Sequence, residues 1–523
     1  MRCKKARCNP AVELLARYHQ IMVRFEEILM TQADKKHAEL KSDGGAALLK
    51  KIARVGLFLG PTLFAVLLLI GPPEGMSSVG LATLALLVWM VVWWISEAVP
   101  IAMTALLPIA LLPLLGAATG KQAAAPYADE IIFLFIGGFI LALSIERWNL
   151  HTRIALSIAG AIGSKPRALI GGFLLASALL SMWISNTATA LMLMPTALGV
   201  AGATFVHGKT DPRFAGALVL AVAYAASIGG IGTPVGSPTN LIAMAYLERN
   251  GLALSFSQWM LMAIPIMLLM LAACWLVLGW DFRKMPVDGL TARDVLTEEK
   301  QKLGRISAPE MRVLSIFFLV ALAWIFRPII NALPGLAALS DTAIAVLGAL
   351  ALFLVPAGAK DEAPQALMTW ERAERLPWGV ALLFGGGLSI AEAMTRNGVT
   401  DWLGQAMAHF GTLPPFAILL IIVVITVFAT EFASNVATLT AMLPVVGAFS
   451  LAAGLPPLTL AFATSLAASL AFMMPIGTAP NAIAFGTGKV SIFYMLKLGF
   501  WLNLASIICI TVMTELLAPL VLN

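Results

Sequence analysis

The chain is 523 residues long, 60% hydrophobic and 12% charged, with a mean hydropathy of +0.90 and a formal net charge of +6. Soluble domains carry about a quarter charged residues, so this composition excludes a soluble protein and requires a polytopic membrane one. Residues 1–51 hold 11 basic and six acidic side chains while the remainder is nearly neutral, which assigns the positive charge to a tail and excludes a nucleic-acid surface.

Within that tail, VELLARYHQIMVRFEEILM sets Leu14, Leu15, Tyr18, Met22, Phe25 and Leu29 at helical three-to-four spacing. Such a stripe suits an amphipathic helix on the membrane surface or on a partner, with a solvated leader as the alternative. No apolar core follows the basic start promptly, so a cleavable signal is not expected. Cys3 and Cys8 lack a second Cys or His pair to complete a zinc set, and Cys274 and Cys509 fall in apolar helices, where Cys packs. The five histidines, at 19, 37, 151, 207 and 409, are scattered and form no ligand cluster.

Eleven apolar spans follow, near 54–71, 79–96, 101–117, 130–146, 213–233, 256–279, 313–330, 340–356, 377–394, 458–475 and 492–520. Two pairs of arms, 167–184 with 188–203 and 414–430 with 437–452, read as re-entrant hairpins. The segment 281–312 carries seven Lys/Arg and divides the chain; 357–375 is charged as well, whereas the loops 72–78 and 117–130 are poor in basic residues. With the tail and both charged segments inside, the positive-inside rule is met. The hairpin around Ser185 then enters from the cytoplasm and the one around Ser434 from outside.

The fold class expected is therefore an all-α polytopic membrane protein of about 11 transmembrane helices plus two re-entrant helical hairpins. Its expected domains are a basic cytoplasmic N-terminal tail (1–51), a first membrane repeat with a leading helix (52–280), a cytoplasmic charged connector (281–312) and a second, inverted membrane repeat (313–523).

The repeat rests on three motifs. SNTATALMLMP (Ser185–Pro195) returns as SNVATLTAMLP (Ser434–Pro444) 249 positions later, and FIGG (Phe135–Gly138) returns as FGGG (Phe384–Gly387) at the same offset, as does Arg147 at Arg396. PVGSPTN (Pro234–Asn240) returns as PIGTAPN (Pro475–Asn481) at an offset of 241. Three matches in one order argue for an internal duplication. The glycine pairs read as close-packing positions.

Pro- and Gly-rich breaks inside a bilayer leave N–H and C=O groups unpaired, which is tolerated only where protein or a wet cavity covers them. The tips are thus expected to share one cavity near the midplane. Positive helix ends attract anions, and carbonyls with hydroxyls suit hard cations such as Na+. Ser185, Asn186 and Thr187 offer hydroxyls and an amide; Ser434 and Asn435 do too, whereas Val436 does not. Ser181 and Thr430 lie four residues before each tip serine, on the same helical face. A lone Ser-Asn in a membrane helix ordinarily only bonds or packs against a neighbour; its duplication beside duplicated breaks favours a site.

No Lys or Arg lies within any of the four tips. A multivalent anion there must be offset by neutral donors and co-bound cations, because its desolvation is otherwise very costly. Symport follows from that requirement. Glu97, Glu146, Glu392 and Glu431 are acids in apolar surroundings, read as interface anchors or Arg partners, with a proton relay as the alternative.

Together, the SNT and SNV tips, GSPTN, GTAPN and SEAVPIAMTALLP resemble the divalent anion/sodium symporter family, solute carrier family 13, over essentially residues 50–523. The resemblance implies a homodimer in the plasma (inner) membrane, N-terminus cytoplasmic, whose transport domain moves against a scaffold domain as an elevator. It implies import of a small divalent anion, a di- or tricarboxylate such as succinate or citrate, coupled to Na+ at two or more sites. A sodium-independent dicarboxylate exchanger or a sulfate transporter on the same fold is the alternative. By matching motif, one Na+ site would use Ser181, Ser185, Asn186 and Gly236, and the other Thr430, Ala433, Asn435 and Gly477. Substrate would meet Ser185, Asn186, Thr187, Ser237, Pro238, Ser434, Asn435, Val436, Thr478 and Ala479. Val436 in place of a hydroxyl and Ala479 in place of a proline depart from the full pattern and narrow the polar inventory.

An intramembrane enzyme is not expected: there is no HExxH, no plausible pair of intramembrane Asp, and no His in a tip. A channel is the remaining alternative.

Overall fold

The structure, a computed structural model, describes residues 45–522 except 164, 204, 207–208, 211, 281, 283–288, 359–364 and 407–412. The tail helix expected at Leu14–Leu29, Cys3, Cys8, His19, His37, His207 and His409 lie outside the described residues. Two compact units divide after Val55: Met1–Val55, of which only the start of a helix is described, and Gly56–Asn523.

Hydrocarbon offers no partner for a backbone N–H or C=O, so the chain is helical nearly throughout. A leading pair, α1 (Gly45–Ile70) and α2 (Ser78–Ser96), precedes α3 (Glu130–Arg147), α4 (Leu150–Ile162), the hairpin arms α5 (Pro166–Ser181) and α6 (Asn186–Ala203), α7 (Pro212–Gly230), α8 (Pro238–Arg249) and α9 (Phe256–Gly279). After α10 (Ala308–Ile325) and α11 (Asp341–Leu354), the same order returns. It runs α12 (Trp378–Arg396), α13 (Val399–Ala406), the arms α14 (Pro415–Ala429) and α15 (Asn435–Ala453), α16 (Pro457–Ser469), α17 (Ala479–Gly486) and α18 (Ile492–Leu522). The order of the seven helices α3–α9 is thus the order of the seven helices α12–α18. Strand pairing among the described residues is confined to a ladder joining Phe205 to Thr210 and Val206 to Lys209, and a bridge between Pro356 and Ala366.

Among the described residues eight helices are long and apolar enough to cross a membrane; the other three expected spans appear as the shorter stretches Ile101–Leu114, Asp341–Leu354 and Pro457–Ser469. The span expected at 101–117 is two pieces, Ile101–Thr104 and Leu107–Leu114. Pro108 explains the break, since its ring would meet the carbonyl of Thr104 in a continuous helix. Pro328 likewise ends α10 at Ile325, short of the expected 330.

The glycine pairs do pack helices closely. A Cβ on Gly137 would come within 2.8 Å of Ala345 Cβ, where α3 crosses α11, and one on Gly138 within 2.8 Å of Val235 in the first break. In α12, Gly385 takes Tyr127, Gly386 the backbone of Ala105, and Gly387 the methyl of Thr440. Gly137→Val is therefore expected to cost about 1–3 kcal/mol through overpacking, read as a lower melting temperature and lower monodisperse yield on size exclusion. Gly199→Ala, where an added Cβ meets nothing within 4 Å, is the neutral comparator.

Ion pairs tie the halves at their ends. Arg153 on α4 binds Glu310 at 2.8 Å and the carbonyls of Leu303 and Gly304, while Glu310 closes a capping box with Ser307 at the start of α10. Arg249 reaches Asp129 at 2.7 Å and Glu392 at 3.5 Å, and Glu392 also meets Arg396 at 3.7 Å. Glu392 is thus an Arg partner, as read from sequence. Trp183, in the first hairpin tip, lies nearly parallel to Phe256 and Trp324, which stack on each other at 4.4 Å. That aromatic file holds the tip against α9 and α10.

Candidate functional site

Both hairpins turn at the expected tips. α5 ends at Ser181 and α6 starts at Asn186; α14 ends at Ala429 and α15 starts at Asn435. Ser185 Oγ accepts from the Ala188 N–H at 3.2 Å and Ser434 Oγ from the Ala437 N–H at 3.3 Å, so each tip serine caps its second arm. The other first-turn N–H groups of α6 and α15 remain directed past the tip, which gives each the positive end of a helix.

The hydroxyl one turn before each tip serine meets the tip asparagine. Ser181 Oγ donates to Asn186 Oδ1 at 2.6 Å, five residues on, because the helix ends at Ser181 and the chain turns before it. Thr430 Oγ1 lies 2.9 Å from the Asn435 amide in the same way. Both asparagines are thereby fixed against the ends of their first arms.

The breaks are held by residues whose role sequence reading missed. Asn240 Nδ2 donates to the carbonyls of Gly230 and Thr233, both at 2.8 Å. Asn481 Nδ2 donates to the carbonyls of Ala471 and Met474, at 3.0 and 3.1 Å. These acceptors are matched pairs at the repeat offset of 241. The final Asn of each Pro-x-Gly-x-x-x-Asn motif clasps one carbonyl freed by the break, that of Gly230 or Ala471, together with that of Thr233 or Met474, which also accepts from the Gly236 or Gly477 N–H. Both side chains are fully buried.

Gly236 then sits among oxygens. A Cβ there would stand 2.6 Å from the Gly230 carbonyl, 2.9 Å from that of Met182 and 3.0 Å from that of Ser181. Asn186 Oδ1 lies against Gly230, where an added Cβ would collide with it. Only glycine leaves that space open, and the donors around it are carbonyl and amide oxygens, the set a hard monovalent cation takes.

The second copy repeats the arrangement. Thr430 Oγ1 donates to the Ala468 carbonyl at 2.7 Å. Turned with its nitrogen inward, the Asn435 amide lies 2.9 Å from Thr430 Oγ1, 3.0 Å from the Ala468 carbonyl and 3.2 Å from the Gly477 carbonyl. These oxygens need a positive partner, and either the amide nitrogen or a cation supplies it. With Oδ1 inward instead, the amide becomes a fourth oxygen ligand. Of the four residues expected here, Thr430, Asn435 and Gly477 converge, whereas Ala433 makes no hydrogen bond among the described residues. No group of three His, Cys, Asp or Glu suited to a transition metal occurs among the described residues.

The copies meet through their breaks. Ser237 Oγ lies 2.7 Å from Thr239 Oγ1, which lies 2.6 Å from Ser469 Oγ at the end of α16. α8 packs on α15 and α16, and α17 packs on α6 and α7, so each copy's post-break helix lies against the other copy's hairpin. No hydrogen bond among the described residues joins the Ser185 tip to the Ser434 tip directly. Thr187 and Ala479 are exposed, Ser185, Asn186, Pro238, Ser434, Asn435 and Val436 are half-buried, and Ser237 and Thr478 are buried. Thr478 Oγ1 caps α17 by accepting from the Asn481 N–H at 3.3 Å.

Among the described residues Glu431 has no Arg partner, and its burial does not suit an interface anchor. It is 1% exposed, and its Oε1 accepts from the N–H groups of Phe472 (2.8 Å) and Met473 (2.9 Å) and from Asn503 Nδ2 (2.8 Å), while Oε2 accepts from the Met474 N–H at 2.8 Å.

Residues 52–522 match the family described as the sodium:sulfate symporter transmembrane region. The chain is 40% identical over 478 residues to a Staphylococcus saprophyticus protein named sodium-dependent dicarboxylate transporter SdcS, covering 90% of this chain and 92% of the relative. A Staphylococcus aureus protein of the same name is 39% identical over the same shares. Among solved structures, Neisseria gonorrhoeae MtrF superimposes with a TM-score of 0.53 over 77% of this chain and 84% of its own, and the Alcanivorax borkumensis YdaH transporter with 0.51 over 79% and 88%. Both are 13% identical to this chain, a likeness that speaks for the fold alone.

Proposed function

Because the chain belongs to the family of the sodium:sulfate symporter transmembrane region, we propose that it imports a small dicarboxylate together with Na+. The observation that carries this reading is the pair of oxygen-lined clusters, Ser181–Asn186–Gly236 and Thr430–Asn435–Gly477, each beside a helix start and none of their residues cationic. The starts of α6 and α15, with Ser185, Thr187, Ser434, Ser237 and Thr478, receive the carboxylates. Na+ in the two clusters offsets a dianion that neutral donors alone would leave undercompensated. The relatives named sodium-dependent dicarboxylate transporters support the choice of both ion and anion class.

The same reading places the two copies inverted across the plasma membrane with the tail cytoplasmic. α5–α9 and α14–α18 form a transport domain that moves as an elevator against a scaffold built from the remaining helices, and the scaffolds pair as a homodimer. Proteoliposomes test the central claim. An inward Na+ gradient is expected to raise succinate uptake at least about tenfold over K+, without internal anion. Uptake that ignores Na+ and appears only with internal dicarboxylate makes the protein an exchanger instead.

A further inference from the structure

The two breaks occupy matched places, and in both the break donates to the hairpin tip, yet the groups that tie them differ. In the first copy, the Thr233 hydroxyl donates to the Met182 carbonyl, and the Gly232 N–H finds the Gly229 carbonyl at 2.9 Å. In the second, the residue matching Met182 is Glu431 and the one matching Thr233 is Met474. There the donor is the backbone, and the acceptor is a side-chain carboxylate that also takes the N–H groups of Phe472 and Met473 and the amide of Asn503. One break is closed by neutral dipoles, the other around a full negative charge.

That charge has no cationic side chain to meet. Glu431 forms no ion pair with any described Lys or Arg. Four N–H donors stabilise a carboxylate but do not neutralise it, and a buried charge without a counter-charge is costly. The neighbouring group able to hold a cation is the Thr430–Ala468–Gly477 oxygen cluster. It adjoins Glu431 in sequence at Thr430 and in space at Gly477, where an added Cβ would stand 3.3 Å from Oε2. Met182, at the matched place in the first copy, brings no charge to the Gly236 cluster.

We infer that Glu431 is the positioning and charge-setting residue of the second cation cluster: its carboxylate shapes the 470–474 turn and makes this cluster bind Na+ more tightly than its counterpart. The inference rests on the symport reading above. Attraction at this range in a weakly screened interior exceeds what the neutral first cluster offers.

The test titrates NaCl against choline chloride at constant ionic strength on the purified full-length protein, reading melting temperature, with uptake in proteoliposomes alongside. Glu431→Gln keeps the shape and removes the charge. It is expected to raise the Na+ concentration giving half-maximal stabilisation at least about tenfold. Glu431→Asp keeps the charge and shortens the reach. It is expected to lower the sodium-free melting temperature while leaving half-saturation within about threefold of wild type. A Glu431→Gln protein with wild-type half-saturation, however unstable, reduces Glu431 to a structural cap and overturns the inference. Should Glu431→Gln not fold, Glu431→Asp decides: a tenfold loss of Na+ affinity with the charge intact overturns it equally. A wild-type protein with no Na+ response in either assay instead sinks the symport reading itself.

Discussion

Asn186→Ala and Asn435→Ala are each expected to lower sodium-driven uptake at least about 100-fold, equivalent to about 2.7 kcal/mol of lost binding, in protein that still inserts and elutes as a single species. Each substitution removes the one side-chain amide oxygen of its cluster. Asn186→Ala also leaves the buried Ser181 hydroxyl without the acceptor it meets at 2.6 Å, whereas Thr430 keeps the Ala468 carbonyl at 2.7 Å. The second loss alone costs about 1–3 kcal/mol when the group stays dry. Neither residue packs a core, so the damage falls on ligand binding more than on folding. Uptake, sodium half-saturation and elution profile of both variants check the expectation. Near-normal uptake in both would remove the tips from the binding site.

Asn240→Leu and Asn481→Leu should be comparably harmful by a different route. Each amide donates to two carbonyls inside the protein, and leucine, branched at the same carbon but without a donor, serves neither. The Gly230 or Ala471 carbonyl is then orphaned at a cost of about 1–3 kcal/mol, while Thr233 and Met474 keep the Gly236 and Gly477 N–H groups, so the broken segment loosens around Gly236 or Gly477. The expected result is a lower melting temperature together with loss of the sodium-dependent rise in it. Aspartate at either position is the sharper probe, because it changes the shape little yet brings an acceptor to two acceptors. An Asn240→Asp or Asn481→Asp protein that melts and responds to Na+ like wild type would show that the clasp is dispensable.

Much of this was legible in the sequence because it is written in local signals. Apolar length marked the spans, and Pro and Gly marked the breaks. The repeated Ser-Asn and Pro-x-Gly-x-x-x-Asn located both clusters, and Gly137 and Gly386 behaved as close-packing glycines. What was hidden depends on partners far along the chain. Glu431 bonds to residues 41 to 43 and 72 positions away, and Thr239 to Ser469 at 230, distances at which no periodicity operates. The clasps of Asn240 and Asn481 had a usable signal, since this Asn recurs in both copies of a motif otherwise made of helix breakers. The Ser181–Asn186 bond was hidden as well, because it forms past the residue where the helix stops and helical spacing no longer applies.

The crossed packing of α8 on α15 and of α17 on α6 bears on whether either half can stand alone. A single half, expressed alone, would have nothing to lay its post-break helix against. Two separate polypeptides, one ending near Gly279 and one starting near Ala308, should find each other and reassemble. Neither half is expected to be stable unless a second chain lends it a hairpin.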